Sequence, residues 1–273
     1  MHEAPILITH PDPGDIPALE RLWIDTFGDP AALVEDFFDC FPPMSCGWIV
    51  CRGSEILSSA YLLPGNVFLS GERVQPAAYV YAVATPKQHR GQGYGGMLMR
   101  HFASLAAQRG LLLYTKPAST GLYHWYAETM STVPVGRSAA RTVVADSPEN
   151  LPEPMALTAS EYGELRERAL LHTPHIAMSD AFLALQERFL KLEGGGYFAV
   201  GDACCAYDVQ EQTVVIRELF SPTLPEDAVA AALRRQLGAE RAVWRVPEPA
   251  GEAIAAVRTE DPPPDASWGL LLD

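Results

Sequence analysis

Residues 79–110 read YVYAVATPKQHRGQGYGGMLMRHFASLAAQRG, and this stretch decides how the chain folds. It begins with apolar, β-branched and aromatic residues as far as Val83, which predict a buried strand. A polar link, residues 85–90, is followed by four glycines within residues 91–96. Apolar residues then recur at helical spacing up to Gly110. The predicted order is therefore strand, glycine loop and helix.

The glycine loop has the chemistry of an anion-binding site. Glycine allows positive φ angles, and a ligand can approach its backbone closely because it has no Cβ. The N–H groups of the first helical turn point outward at the positive end of the helix dipole. Lys87 and Arg90 add positive charge just before the loop, and arginine can hold phosphate through two parallel hydrogen bonds. We therefore expect the loop to bind a pyrophosphate.

Gly91, Gly93 and Gly96 satisfy the G-x-G-x-x-G fingerprint of dinucleotide-binding proteins. That fingerprint requires a turn directly after the strand and an acidic residue about 20 positions further on. Here six residues separate the strand from the loop, and the next predicted strand, residues 111–115, is followed by Lys116. The context disfavours a dinucleotide site, and a dinucleotide oxidoreductase stays only as an alternative.

A second pattern, Arg90-x-x-Gly93-x-Gly95, resembles the Q/R-x-x-G-x-G/A motif of the GNAT superfamily of acyl-CoA-dependent N-acetyltransferases. The run Val83-Ala84-Thr85-Pro86 and the long helix also resemble that family's central motif. The resemblance implies acetyl-CoA as cosubstrate, with its pyrophosphate on the loop amides and its pantetheine arm paired with the backbone of the strand. The cofactor-binding residues that it implies are Val83, Ala84, Arg90, Gly91, Gly93, Gly95 and Gly96. A merely structural turn would need one or two glycines rather than four.

Length and composition predict an ordinary globular protein. A chain of 273 residues is long for one core and comfortable for two domains. No apolar run approaches the ~20 residues of a membrane span, and the N-terminus does not read as a secretory signal, so we expect a cytoplasmic protein. The five cysteines form no C-x-x-C pair, which favours reduced thiols. The histidines show no metal-ligand spacing, and no metal is expected.

The net charge of −14 is unevenly distributed. Residues 146–273 hold ten Lys or Arg against twenty-two Asp or Glu, a balance of −12. Such acidity argues against nucleic acid and anionic membranes as partners. It is consistent with a cationic substrate or with simple solubility. The partner that we expect is a small-molecule or peptide amine, including a cationic one, and the sequence leaves a homo-oligomer open.

The element order appears twice along the chain. Two helices, a three-strand meander, a helix and a strand are predicted in each half, which indicates a mixed α/β fold of two GNAT-like units in tandem. Residues 1–145 would form the GNAT acetyltransferase domain that binds acetyl-CoA, and the proline-rich residues 146–154 a linker. Residues 155–273 would form a degenerate GNAT-like domain. Its corresponding helix begins with Glu226 and Asp227, without a glycine loop before it, so two carboxylates stand where the phosphate would lie.

Acetyl transfer to an amine needs a proton for the departing thiolate, and a tyrosine hydroxyl can provide or share one. Residues 125–130, WYAETM, resemble the start of the F-Y-x-x-x-G-F pattern that GNAT proteins carry on a helix here. That resemblance implies Tyr126 as the catalytic tyrosine. The final G-F is absent, so the register could shift to Tyr123.

The general base is less defined by the sequence. Glu35, Asp36 and Asp39 on the second predicted helix could line the acceptor side, or they could form a solvated face. The terminal carboxylate of Asp273 is a further candidate, because the tail before it is apolar enough to pack against the protein. A protein that binds acyl-CoA without catalysis is the main functional alternative.

Overall fold

The computed structural model describes residues 4–69, 74–144, 151–258 and 267–268. These residues divide into two compact units. The first unit holds residues 4–67, 74–135 and 255–258, and the second holds residues 68–69, 136–144, 151–254 and 267–268. Neither unit is therefore continuous in sequence.

The described residues form strands and helices along the whole chain. In chain order, the strands are β1 (Ile6–Thr9), β2 (Gly47–Arg52), β3 (Glu55–Phe68), β4 (Val74–Ala84), β5 (Leu112–Thr115), β6 (Val133–Val135), β7 (Ser138–Val143), β8 (Met155–Leu157), β9 (His175–Ala177), β10 (Gly196–Val200), β11 (Ala203–Gln210), β12 (Thr213–Phe220), β13 (Arg241–Pro247) and β14 (Ala255–Arg258). The helices are α1 (Ile16–Phe27), α2 (Ala31–Cys40), α3 (Pro43–Cys46), α4 (Tyr94–Arg109), α5 (Thr120–Met130), α6 (Ala159–Ala169), α7 (Asp180–Leu192) and α8 (Glu226–Gln236).

The sheet of the first unit is mixed, with the strand order β1-β2-β3-β4-β5-β14-β6. Strands β4 and β5 are parallel and are joined through α4, as the strand, loop and helix pattern predicted. Strand β14 is antiparallel to both β5 and β6.

The two faces of this sheet are covered by different helices. Val80 of β4 packs in the cluster that contains the apolar side of α4. Its neighbour Tyr81 instead contacts Trp23 of α1 and Phe37 of α2, at ring-centroid distances of 5.6 and 5.5 Å. Successive residues of a strand point to opposite faces, so α4 lies on one face and α1 with α2 on the other.

The second unit repeats this plan without its glycine loop. Its sheet has the order β7-β13-β12-β11-β10-β8, and β12 and β13 are parallel and joined through α8. The elements from β8 to β13 thus follow the succession seen from β1 to β5. A capping box starts α6, with the Thr158 side chain accepting from Glu161 N–H and the Glu161 side chain accepting from Thr158 N–H. The predicted fold class, two GNAT-like α/β units, is confirmed.

A buried ion pair joins helix α6 of the second unit to its sheet. The guanidinium of Arg166 is fully buried and donates to both carboxylate oxygens of Glu218, at 2.8 and 3.2 Å. The hydroxyl of Tyr162 donates to the same carboxylate at 2.6 Å, and Arg166 also donates to the carbonyl of Ile176 at 2.9 Å. Charges buried this deeply need such partners, because removing them from water costs several kcal/mol per ion. No pattern in the sequence predicts this network.

The predicted domain boundaries, 1–145 and 155–273, are wrong in two places. Strand β7 was assigned to the first domain, but residues 138–143 pair with β13 of the second unit. Strand β14 was assigned to the second domain, but it pairs with β5 and β6 of the first. Of the predicted linker 146–154, residues 146–150 lie outside the described part. Short strands carry no sequence signal that tells which sheet they join, because their pairing is decided by tertiary contacts.

Candidate functional site

The glycine loop adopts a conformation that requires glycine at two positions. Gly91 has φ +75° and Gly93, the N-cap of α4, has φ +87°. A Cβ on either residue would meet nothing within 4 Å, so the left-handed backbone, and not crowding, is what favours glycine there. The loop is exposed at both residues.

The amides at the start of α4 are available to a ligand. The helix begins with a hydrogen bond of 3.0 Å from Met97 N–H to the Gly93 carbonyl. The N–H groups of Tyr94, Gly95 and Gly96 therefore have no acceptor within the helix. They lie at the positive end of the dipole of a 16-residue helix, which is the arrangement that binds phosphate.

Gly95 and Gly96 lie against other side chains but do not have a positive φ. A Cβ on Gly95 would lie 3.5 Å from both the Thr85 hydroxyl and the Trp125 ring, which is an ordinary contact distance. A Cβ on the buried Gly96 would lie 3.2 Å from the guanidinium of Arg100, which is the movable end of a long side chain. Of the four glycines, only Gly91 and Gly93 are therefore required by the backbone conformation.

Side chains fix the chain where β4 passes into the loop. The hydroxyl of Ser58 on β3 donates to the Ala84 carbonyl at 2.9 Å and lies 3.0 Å from the Thr85 hydroxyl. The ε nitrogen of Arg90 donates to the Thr85 carbonyl at 3.0 Å, which orients its guanidinium. Ser58 was not singled out from the sequence, because nothing local in β3 shows that it faces the end of β4.

Strand β4 is irregular shortly after its last pair with β5. That pair is Tyr79 with Tyr114, and Ala82 has φ +47°, rare for a residue with a Cβ. Val80 and Val83 both pack on the α4 side, although strict alternation would send them to opposite faces. The backbone at Ala82 therefore breaks the alternation. Strained residues of this kind cluster at ligand sites.

The two strands separate beyond that point. The hydroxyl of Thr115, the last residue of β5, donates to the Val80 carbonyl at 2.8 Å, so a side chain replaces the missing ladder bond. Val83 and Ala84 lie on β4 past its last β5 pair, beside the start of the loop. The predicted cofactor-binding residues thus lie along the backbone from the end of β4, through the loop, to the first turn of α4.

The two candidate tyrosines lie on α5 in different surroundings. Tyr126 is only 6% exposed and packs in the core against α4. Burial raises the pKa of its hydroxyl to about 12, partly opposed by a hydrogen bond with the side chain of Thr115. Tyr123, one turn earlier, is half-buried. The Tyr126 hydroxyl is therefore bonded to the last residue of β5, where β4 and β5 separate, whereas the Tyr123 side chain is partly accessible to solvent.

The candidate bases are not brought together into one cluster. Glu35 and Asp39 are exposed on α2, and Asp36 on the same helix is half-buried. The exposure of Glu35 and Asp39 is expected for charged residues on the solvent-facing side of a helix. Asp273 lies outside the described residues.

Two other kinds of site are absent from the described part of the chain. Those residues contain no group of three or more His, Cys, Asp or Glu that could hold a metal ion. None of their helices is both long enough and apolar enough to cross a bilayer.

The comparisons with known proteins agree with this geometry. Residues 8–126 match the family model described as an acetyltransferase (GNAT) domain. Residues 8–126 are thus similar in sequence to a GNAT domain. The match spans β4, the glycine loop, α4 and α5 as far as Tyr126. The predicted GNAT resemblance is therefore confirmed for the first unit by sequence as well as by fold.

Solved structures share the GNAT fold along nearly the whole chain. A GCN5-related N-acetyltransferase from Kribbella flavida is 17% identical with a TM-score of 0.69, over 93% of this chain and 71% of that one. Another from Anabaena variabilis is 16% identical with a TM-score of 0.71, over 93% and 72%. A tandem GNAT protein from the clavulanic acid biosynthesis pathway is 11% identical with a TM-score of 0.54, over 94% and 99%. At these identities the likeness shows the fold alone. No curated protein matches the chain.

The second GNAT-like unit has an acidic helix start where the first has its glycines. Helix α8 carries Glu226 and Asp227 in its first turn. The carboxylate of Glu226 accepts from the indole N–H of Trp244 at 3.0 Å, and Asp227 lies 3.5 Å from Arg141. Carboxylates already occupy the positive end of this helix, so it offers no comparable place for a phosphate.

Proposed function

We propose that this GNAT protein is an acetyl-CoA-dependent N-acetyltransferase that moves the acetyl group directly to an amine in a ternary complex. The observation that carries the proposal is the amide cradle at the start of α4, placed beside the stretch of β4 that has separated from β5. The amides would hold the pyrophosphate of CoA. The unpaired side of β4 at Val83 and Ala84 would pair with the pantetheine arm, as an added strand would.

Positioning supplies much of the rate in such a reaction. Holding the amine and the thioester together removes the entropy cost of a bimolecular encounter. The backbone turn at Ala82 redirects β4 where the thioester would lie. The amine nitrogen then attacks the acetyl carbonyl and the carbon–sulfur bond breaks. The CoA thiolate leaves and takes up a proton.

We assign that proton donor to Tyr123 in preference to Tyr126. The hydroxyl of Tyr126 is buried and bonded to Thr115, and burial raises its pKa to about 12, whereas the half-buried side chain of Tyr123 on the same helix can contact a ligand from solvent. Tyr126 would instead act through Thr115 to hold the opening between β4 and β5. The general base stays unassigned, with the terminal carboxylate of Asp273 as a candidate.

The acceptor would be a small-molecule or peptide amine, including a cationic one given the net charge of −14. The second unit would be a structural partner that does not bind CoA. A cytoplasmic location and a homo-oligomer remain expectations from the sequence.

A second candidate function is binding of acyl-CoA without catalysis. It is favoured by the burial of Tyr126 and by the absence of the G-F pair after it. The glycine loop would then bind acyl-CoA without any acetyl transfer following.

Two measurements separate these functions. Calorimetric titration with CoA and acetyl-CoA tests the cradle, and we expect one-to-one binding of both. Thiol release from acetyl-CoA with polyamines, aminoglycosides and amino acids tests catalysis. Turnover on at least one amine supports the transferase, and binding without turnover on any of them supports the acyl-CoA binder. No heat with either ligand on folded protein, or binding of NAD that CoA does not displace, contradicts both.

A further inference from the structure

A groove of about 380 Å³ lies beside the glycine loop, on the α1 side of the sheet. One wall is a single face of α1 that includes Arg21 and Asp25. The other wall is the segment that leads into the loop, from Pro86 to Arg90, together with Ile56 of β3. Arg90, which lines the groove, directly precedes the glycine loop that leads to the amide cradle at the start of α4.

The groove carries more positive than negative charge. Arg21, Lys87 and Arg90 line it, against the single carboxylate of Asp25. Within the described part of the chain, Arg21 and Lys87 form no ion pair, although Asp25 is only one turn from Arg21 on α1. The Arg90 guanidinium is oriented by its bond to the Thr85 carbonyl. In a protein with a net charge of −14, three cations around one concave surface create a local field that attracts an anion.

The proposed ligand has an anion to place there. CoA carries a phosphate on its ribose 3′ position in addition to the diphosphate of its backbone. Arg90 both lines the groove and directly precedes the loop, so a CoA molecule whose diphosphate lies on the loop amides could extend its ribose towards the groove. We infer that the groove binds the 3′-phosphate of CoA through Arg21, Lys87 and Arg90. This inference rests on the proposed function.

The expected strength is modest. The three cations are exposed, so solvent and salt screen their attraction for a phosphate. We expect the loss of one of them to weaken CoA binding about three- to tenfold, which is less than a buried charge-assisted hydrogen bond would contribute. Because the attraction is between charges, the preference should decline as salt is raised.

The test compares CoA with 3′-dephospho-CoA by calorimetric titration at one fixed salt concentration. We expect the wild-type protein to prefer CoA by about tenfold or more. Arg21→Ala should weaken CoA and leave 3′-dephospho-CoA unchanged, and Lys87→Ala should weaken CoA by a larger factor than 3′-dephospho-CoA. Asp25→Asn on the same helix should act in the opposite direction and increase the preference. Arg109→Ala, at the far end of α4, removes one exposed positive charge and is the control that should leave the preference unchanged.

Two outcomes would overturn the inference while leaving the proposed function standing. One is equal affinity of the wild-type protein for the two ligands. The other is an equal loss of affinity for both ligands in Arg21→Ala and Lys87→Ala. If neither ligand binds to the folded wild-type protein, the proposed function fails and this inference fails with it.

Discussion

At the scale of single residues, backbone conformation separates residues that look alike in the sequence. The glycine cluster and Arg90 can be recognised as an anion site from the sequence, because their chemistry is local. That Gly91 and Gly93, but not Gly95 and Gly96, have a positive φ cannot be predicted in this way, since it depends on the path of the loop in the folded chain. The positive φ of Ala82 leaves no sequence trace at all, because alanine is ordinary in a strand.

Gly93→Ala tests whether the left-handed loop conformation matters for the ligand. An alanine with φ near +87° costs about 1–2 kcal/mol, although its Cβ would meet no neighbour within 4 Å. We expect the urea midpoint to fall and CoA affinity to drop at least about tenfold as the amides move. Gly28→Ala is the matched control, because Gly28 has φ +81°, equal free space and no place in the loop. It should lose similar stability and keep CoA affinity. An equal loss of affinity in both variants would contradict the prediction.

The two tyrosines give a second prediction at this scale. Tyr123→Phe should lower kcat about 10²-fold, because it removes the proton donor and leaves the cradle intact. Tyr126→Phe should cost about 1 kcal/mol of unfolding free energy through the lost bond with Thr115. Its kcat should change less than that of Tyr123→Phe. Thiol release and urea unfolding measure both effects, and a reversed order of kcat losses would return the catalytic role to Tyr126.

At the scale of elements, long patterned segments were predictable and short ones were not. The strand, loop and helix of residues 79–110 and the element order that appears in both halves follow from periodicity. Strand β9 has three residues and β14 four, too few to show a period. Their places depend on partners that are distant in sequence, so the domain boundary at 145 was wrong.

A fragment of residues 1–145 tests the corrected boundary. It would lack β14, which pairs with β5 at Leu113, Tyr114 and Thr115 and whose Val257 is fully buried. It would also carry β7 without its partner β13. Two exposed strand edges favour aggregation, and the core around β5 would open to water. We expect this fragment to show no cooperative unfolding by circular dichroism and no CoA binding. A soluble fragment that binds CoA as the whole chain does would show β14 to be dispensable.

At the scale of the whole molecule, two units of one plan differ at the start of the helix that joins their parallel strands. Both have parallel strands joined by a helix, but α4 begins with glycines and α8 begins with Glu226 and Asp227. The difference in charge at these helix starts was predictable from the sequence, because it is local. The buried pair of Arg166 and Glu218 was not, because its members are 52 residues apart.

The number of CoA molecules bound per chain follows from this contrast. The Glu226 carboxylate is held by the indole of Trp244 and blocks the helix start in the second unit, so only the first unit should bind. We expect a calorimetric stoichiometry of about one CoA per chain, and loss of that single site in Gly93→Ala. Glu226→Gln with Asp227→Asn removes two negative charges yet supplies no glycine loop, so the stoichiometry should stay the same. A second binding event in the wild-type chain would show that the acidic helix start does not exclude the ligand, and that both units are functional.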